Sequence, residues 1–180
     1  MELNAQTLNR FQTQHTIVKH YIDDLPPEAI YTRLNPKKWS IHETIAYVCR
    51  YHYIFMNRLD RIINEINPFF EMYKVDNDVE YNFTAAKTSG SLLHEIYRIR
   101  DDIKIMLEEL DINQYSRIGA HAVLGKMNIN QWVEFFLLHE SNQLYKIFKL
   151  AGSFWSLKNQ QSGNVVNLPH LQSHIDDLAG

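Results

Sequence analysis

The side chains that could do chemistry sit where an apolar seam is expected. In Asn128–Leu150, NINQWVEFFLLHESNQLYKIFKL, the residues Ile129, Val133, Phe136, Gln143 and Ile147 fall on one face at helical spacing. Glu140 lies near the centre of that face, Gln143 lies on it, and His139 sits at its edge. A polar group buried without a hydrogen bond costs about 1–3 kcal/mol. These three side chains therefore need partners, and form either a satisfied core network or the remains of a site. A second set lies on the stretch that opens at Ser40. His52 is central on its apolar stripe, and Tyr47 and Tyr51 share a lateral row with Thr44. His52 and Glu140 are both central on their helices, which makes them candidate partners, in a structural pair rather than a catalytic one. Cys49, beside the same stripe, is expected to be a buried, inert thiol.

Four long amphipathic helices must position these residues. The first is predicted over Ala5–Leu25, with Leu8, Phe11, His15, Val18 and Ile22 on one face and Pro26-Pro27 as its stop. His15 on that face is expected to be a core or boundary residue. A short helical turn is expected over Glu28–Leu34. Ser40 with Glu43 forms a capping box, with Trp39 as a staple residue. It opens a second helix whose stripe runs Ile41, Ile45, Val48, His52, Phe55, Leu59, Ile62, Ile66 and which ends at Asn67-Pro68. The third starts near Ser89 or Ser91, with Leu92, Ile96, Ile99, Ile103, Met106 and Leu110 inward. Its opposite side, with His94, Arg98, Arg100, Asp101, Asp102 and Lys104, is expected to be solvated. The fourth opens with Asn128 and Gln131 as a second capping box, with Met127 and Trp132 as its staple, and is expected to end at Gly152 as a left-handed cap.

Between the second and third helices, residues 67–87 show no sustained period. Phe69, Phe70, Met72, Tyr73, Tyr81 and Phe83 make this stretch too apolar for a free linker. It is expected to be a long crossover connection that caps the bundle or lines a partner surface. The fold class predicted is all-α: a four-helix bundle over residues 1–151. A tail over 152–180 is expected to pack on the bundle or on a partner subunit, with Leu171, Ile175 and Leu178 on a short helix after Pro169.

Composition narrows the function. The few glycines and prolines, six and five in 180 residues, favour long helices over a turn-rich β fold. A net charge of −3 argues against the clustered basic face of a nucleic-acid binder. The single cysteine excludes an intramolecular disulfide and fits a reducing compartment. The N-terminus lacks an apolar signal region, and no run approaches the ~18 apolar residues of a membrane span. A cytoplasmic protein is the expectation. No P-loop, dinucleotide fingerprint, serine elbow or paired-cysteine metal signature is present.

Three stretches taken together carry a resemblance: Trp39-Ser-Ile-His-Glu at the start of helix two, Gly125-Lys-Met-Asn-Ile-Asn-Gln-Trp before helix four, and His139-Glu-Ser-Asn-Gln within it. In order and spacing, over about residues 5–150, they resemble the DinB/YfiT-like superfamily and its DinB_2-type members. That resemblance implies a four-helix bundle with a long connection between helices two and three. It also implies a divalent metal, of zinc or nickel type, held by three histidines, and metal-dependent thiol transferases among the relatives. The implied ligand positions here are Tyr47, His139 and Gln143, of which only His139 keeps its type. A phenol and an amide are poor replacements for two imidazoles. The leading expectation is therefore a non-catalytic or ligand-binding bundle with a degraded metal site and no cofactor. Its ligand pocket would be lined by Tyr47, Tyr51, His52, His139, Glu140 and Gln143. The alternative is a metal-dependent thiol transferase-like enzyme with a changed ligand set, including a site shifted to His52, His139 and Glu140. A homodimer and a small-molecule ligand are the expected partners, without nucleic acid or membrane.

Overall fold

The computed structural model describes residues 3–161. Its helices are α1 (Ala5–Thr13), α2 (Ile17–Ile22), α3 (Pro27–Tyr31), α4 (Ile41–Asn64), α5 (Val79–Ala85), α6 (Ser89–Glu108), α7 (Ile112–Tyr115) and α8 (Ile129–Gln161). Three short strands accompany them: β1 (Phe69–Phe70), β2 (Ile118–His121) and β3 (Gly125–Asn128). The α1–α2 pair, α4, α6 and α8 are the four rods of one bundle. Among the described residues, no helix is long and apolar enough to cross a membrane.

Side-chain caps set where the rods begin. Glu43 N–H donates to Ser40 Oγ at 3.2 Å, and Ser40 N–H donates back to the Glu43 carboxylate at 2.8 Å. Asn128 and Gln131 make the same reciprocal pair, both bonds at 3.0 Å, and open α8. Both capping boxes lie where the sequence places them. The apolar stripes then bury as a single interior in which Phe11, Phe55, Leu59, Ile99, Trp132 and Phe136 are fully enclosed. Phe55 and Phe136 stack across α4 and α8 with centroids 4.2 Å apart.

Several expectations are corrected. The first rod is not one helix over Ala5–Leu25: a 3-10 turn over Gln14–Thr16 divides it, and α2 ends at Ile22. Local competition explains the break. The Thr13 and Thr16 hydroxyls bond back to Asn9 O and Thr13 O, and the Gln14 side chain is drawn inward to Leu137 O and Glu140. Ile66 is not part of the α4 stripe. The helix stops at Asn64, Asn67 takes a positive φ of 52°, and Ile66 is left 90% exposed. On α6 the inward position near the end belongs to Leu107 rather than to the half-buried Met106. Arg100 is not solvated but 2% exposed.

Gly152 does not end the fourth rod. The helix runs through it to Gln161, Ser153 and Ser156 bond back one turn, and Phe154 and Trp155 pack against the core. The positions read as a tail helix, Leu171, Ile175 and Leu178, lie outside the described residues.

The small sheet is an addition that helical periodicity does not show. β1 pairs parallel with β2, which pairs antiparallel with β3. It pins the crossover against the start of α8. Gly119 sits where a Cβ would lie 2.7 Å from Ile62 Cγ1 and 2.8 Å from Phe70, so no larger residue fits. The crossover itself packs partly inward, with Phe70 buried and Phe69 exposed.

Candidate functional site

Two polar groupings of the interior meet adjacent faces of α8. Consecutive helical residues point about 100° apart, so His139 and Glu140 face different neighbours.

Glu140, 2% exposed, accepts from Arg100 Nη2 at 2.5 Å and from Gln14 Nε2 at 2.8 Å. His52 Nε2 lies 3.3 Å from the same carboxylate. The expected His52–Glu140 proximity is present, but Arg100 is the stronger partner. His52 Nδ1 donates to Val48 O at 2.7 Å, one turn back on its own helix. That bond fixes the proton on Nδ1, so neutral His52 presents a bare Nε2 to the carboxylate. Burial lowers the His52 pKa, against the raising pull of Glu140. Burial also opposes the Glu140 charge, but the Arg100 guanidinium outweighs it and holds its carboxyl well below the usual range. The Arg100 guanidinium lies between the rings of Phe11 and Phe136, at 4.3 and 4.7 Å. His15 faces the same cluster. Burial, followed by Arg100, depresses its pKa to about 3.

Arg100, Gln14 and His15 are the residues that stripe reasoning did not assign to this network. A signal existed for Arg100: it sits four residues after Ile96 and three before Ile103, on the buried face.

The adjacent face of α8, on which His139 lies, meets an aromatic cradle. Tyr51 stacks on His139 with centroids 4.0 Å apart, and Tyr47 lies 5.6 Å from the same imidazole. Trp39, the residue before the α4 cap, contacts Tyr47 at 5.2 Å and stacks on Tyr81 at 5.8 Å. Tyr73, from the crossover, lies against Tyr47 and Tyr51 at 5.6 and 5.8 Å. Burial, then Lys146 and Arg58, lowers the His139 pKa to about 4, so the ring is neutral at physiological pH. Burial raises the phenols of Tyr47 and Tyr51 above their ordinary value. Gln143 is buried one turn along α8 from His139. His139 Nε2 and Gln143 Oε1 are buried without a hydrogen-bond partner among the described residues.

The structure thus brings Tyr47, Tyr51 and His139 into one cluster. Gln143 is buried one turn further along α8, and His52 and Glu140 belong to the separate core network. The donor set at positions 47, 139 and 143 does not fit an ion held by three imidazoles. One imidazole is present, the phenol beside it resists ionisation, and the third side chain is a neutral amide. A site shifted to His52, His139 and Glu140 is ruled against by direction, because Glu140 is engaged by Arg100 and Gln14 while His139 faces Tyr51. Among the described residues, no group of three or more His, Cys, Asp or Glu side chains is placed to hold a metal ion. Cys49 is buried, and burial pushes its thiol up to about 12, away from a reactive thiolate.

No curated protein matches the sequence. The chain is similar in fold to YfiT from Bacillus subtilis, a probable metal-dependent hydrolase with an unusual four-helix bundle topology. The two superpose with a TM-score of 0.71 at 12% identity, over 82% of this chain and 85% of that one. The family model of the DinB superfamily matches residues 10–144, three quarters of the sequence, reaching into each of the four rods of the bundle. The chain belongs to the DinB superfamily.

Proposed function

We propose that this protein is a ligand-binding DinB-superfamily bundle in which the family's three-histidine metal position has been rebuilt as an aromatic cradle. The observation that carries the reading is the company His139 keeps. Its ring is stacked on Tyr51 and flanked by Tyr47, with an amide rather than a second imidazole one turn away. His139 Nε2 and Gln143 Oε1, without a hydrogen-bond partner among the described residues, offer one nitrogen and one oxygen to a polar ligand group. The likeness to YfiT raises metal-dependent hydrolysis as the rival, and metal-dependent thiol transfer is the second rival.

The test is elemental analysis of protein purified without added metal, beside its His139→Ala variant. Metal well below one equivalent is expected in both. Stoichiometric zinc or nickel that disappears in His139→Ala would overturn the reading, as would turnover of an electrophile with a small thiol above the uncatalysed rate. The same reading includes self-association in the cytoplasm through the outer face of α8, where Leu138, Tyr145 and Phe148 are exposed. A monomer by light scattering at micromolar concentration contradicts that part.

A further inference from the structure

A different part of α4 carries an unbalanced charge. Arg58 is 6% exposed, yet no carboxylate pairs with it among the described residues. Its Nη2 donates to the backbone oxygen of Glu71 at 2.8 Å and its Nη1 to the Tyr51 hydroxyl at 3.4 Å. The rings of Phe70 and Trp132 lie 5.7 and 5.6 Å from its guanidinium carbon. Ring faces and neutral acceptors offset part of the cost of burying a cation, but leave its charge uncompensated.

Arg58 lines a groove of about 490 Å³, with Arg50, Asn57 and Arg61 from the same helix and Phe69 and Phe70 from β1. Residues 50, 54, 57, 58 and 61 follow helical spacing, so the helix aims three guanidinium groups at one opening. Arg50 and Arg61 each spend one edge on a carboxylate, Asp78 and Glu65 respectively. Their Nη1 groups make no hydrogen bond among the described residues. Phe69 is 53% exposed at the rim, an apolar wall beside the cations. Glu71 also lines the groove, and its backbone oxygen is the one that accepts from Arg58.

We propose that this groove binds a small organic oxoanion, with its charged group on Arg58 and an aromatic or apolar body against Phe69 and Phe70. Arginine suits that role because its planar donors match carboxylate and phosphate oxygens and its faces tolerate aromatic neighbours. The groove is separate from positions 47, 139 and 143, and the inference holds whether or not a metal is bound there. Tyr51 links the two regions, since its ring stacks on His139 while its hydroxyl accepts from Arg58.

The test is calorimetric titration of the full chain with phenyl phosphate and with inorganic phosphate, alongside side-chain NMR of the arginine Nε–H groups. Phenyl phosphate is expected to bind saturably, to shift the Arg58 signal, and to bind more tightly than inorganic phosphate. Arg58→Gln should weaken binding about tenfold or more. Phe69→Ser, at an exposed position, should weaken phenyl phosphate and leave inorganic phosphate unchanged. Should Arg58→Gln not fold, Arg61→Gln carries the charge arm, with weaker binding of both probes expected. The proposal is overturned if neither probe saturates, or if binding is indifferent to loss of these arginines and of Phe69. Metal analysis of the same samples reports separately on the cradle.

Discussion

Taking one partner out of the Arg100–Glu140 pair leaves the other charge buried alone. The cost of that is about 3–5 kcal/mol. Glu140→Gln is therefore expected to lower the unfolding free energy by that order in urea titration, and a loss near zero would mean the pair does not form. His52 contributes differently. With its proton fixed on Nδ1 by Val48 O, it is a neutral neighbour of the carboxylate rather than a counter-ion. His52→Gln should therefore cost less than Glu140→Gln. Of these residues, His52 and Glu140 were legible as mutual neighbours because both interrupt an apolar stripe. Arg100 was not, since a cluster of charges on α6 looks like a wet surface until the position relative to Ile96 and Ile103 is weighed. A side chain's type says it would prefer water; only its phase on the helix says where it points.

At the scale of elements, the rods' starts were legible and their ends were not. Capping boxes are local chemistry between residues three apart, so Ser40/Glu43 and Asn128/Gln131 could be read directly. Helix ends depend on what packs against the last turns. Gly152 sits mid-helix because the following turn, with Phe154 and Trp155, is held against the core. Among the described residues, its missing Cβ would meet only Trp155 Cε3, at 3.9 Å. Gly152→Ala should thus stabilise the protein by about 0.5–1 kcal/mol, because Ala is the better residue in a helix interior. Destabilisation in the same thermal or urea melt would restore the left-handed cap. Gly119→Ala should behave oppositely and destabilise, since Ile62 and Phe70 occupy the space its Cβ needs. The strands around Gly119 were illegible because segments of two to four residues are too short to show an alternating pattern.

For the molecule as a whole, the buried imidazoles make acid the weak direction. His15 and His139 have folded-state pKa values of about 3 and about 4, against 6.5 when unfolded. Below pH 6.5 the unfolded chain takes up these protons and the folded one does not, so stability falls as pH falls from there towards the folded values. Each histidine contributes a slope of about 1.4 kcal/mol per pH unit within that window. The depressed Glu140 carboxyl acts in the same direction at lower pH, its contribution being lost only below the usual carboxylate range. Urea unfolding between about pH 7 and about pH 5 should show the slope, and His139→Gln should flatten it. A pH-independent midpoint over that interval would contradict the burial of neutral imidazoles.

The bundle itself follows from four amphipathic rods, and the family follows from motifs that start two of them. A metal cannot be carried across with the fold alone, because two of the three positions the resemblance implies as ligands, 47 and 143, hold Tyr and Gln, and the backbone is indifferent to that. The direct measurement is zinc binding, by calorimetry and elemental analysis, to the natural chain and to a Tyr47→His/Gln143→His double variant. The account predicts less than one equivalent for the natural chain and a new one-equivalent site in the double variant that His139→Ala abolishes. A full equivalent on the natural chain, lost with His139, would contradict it.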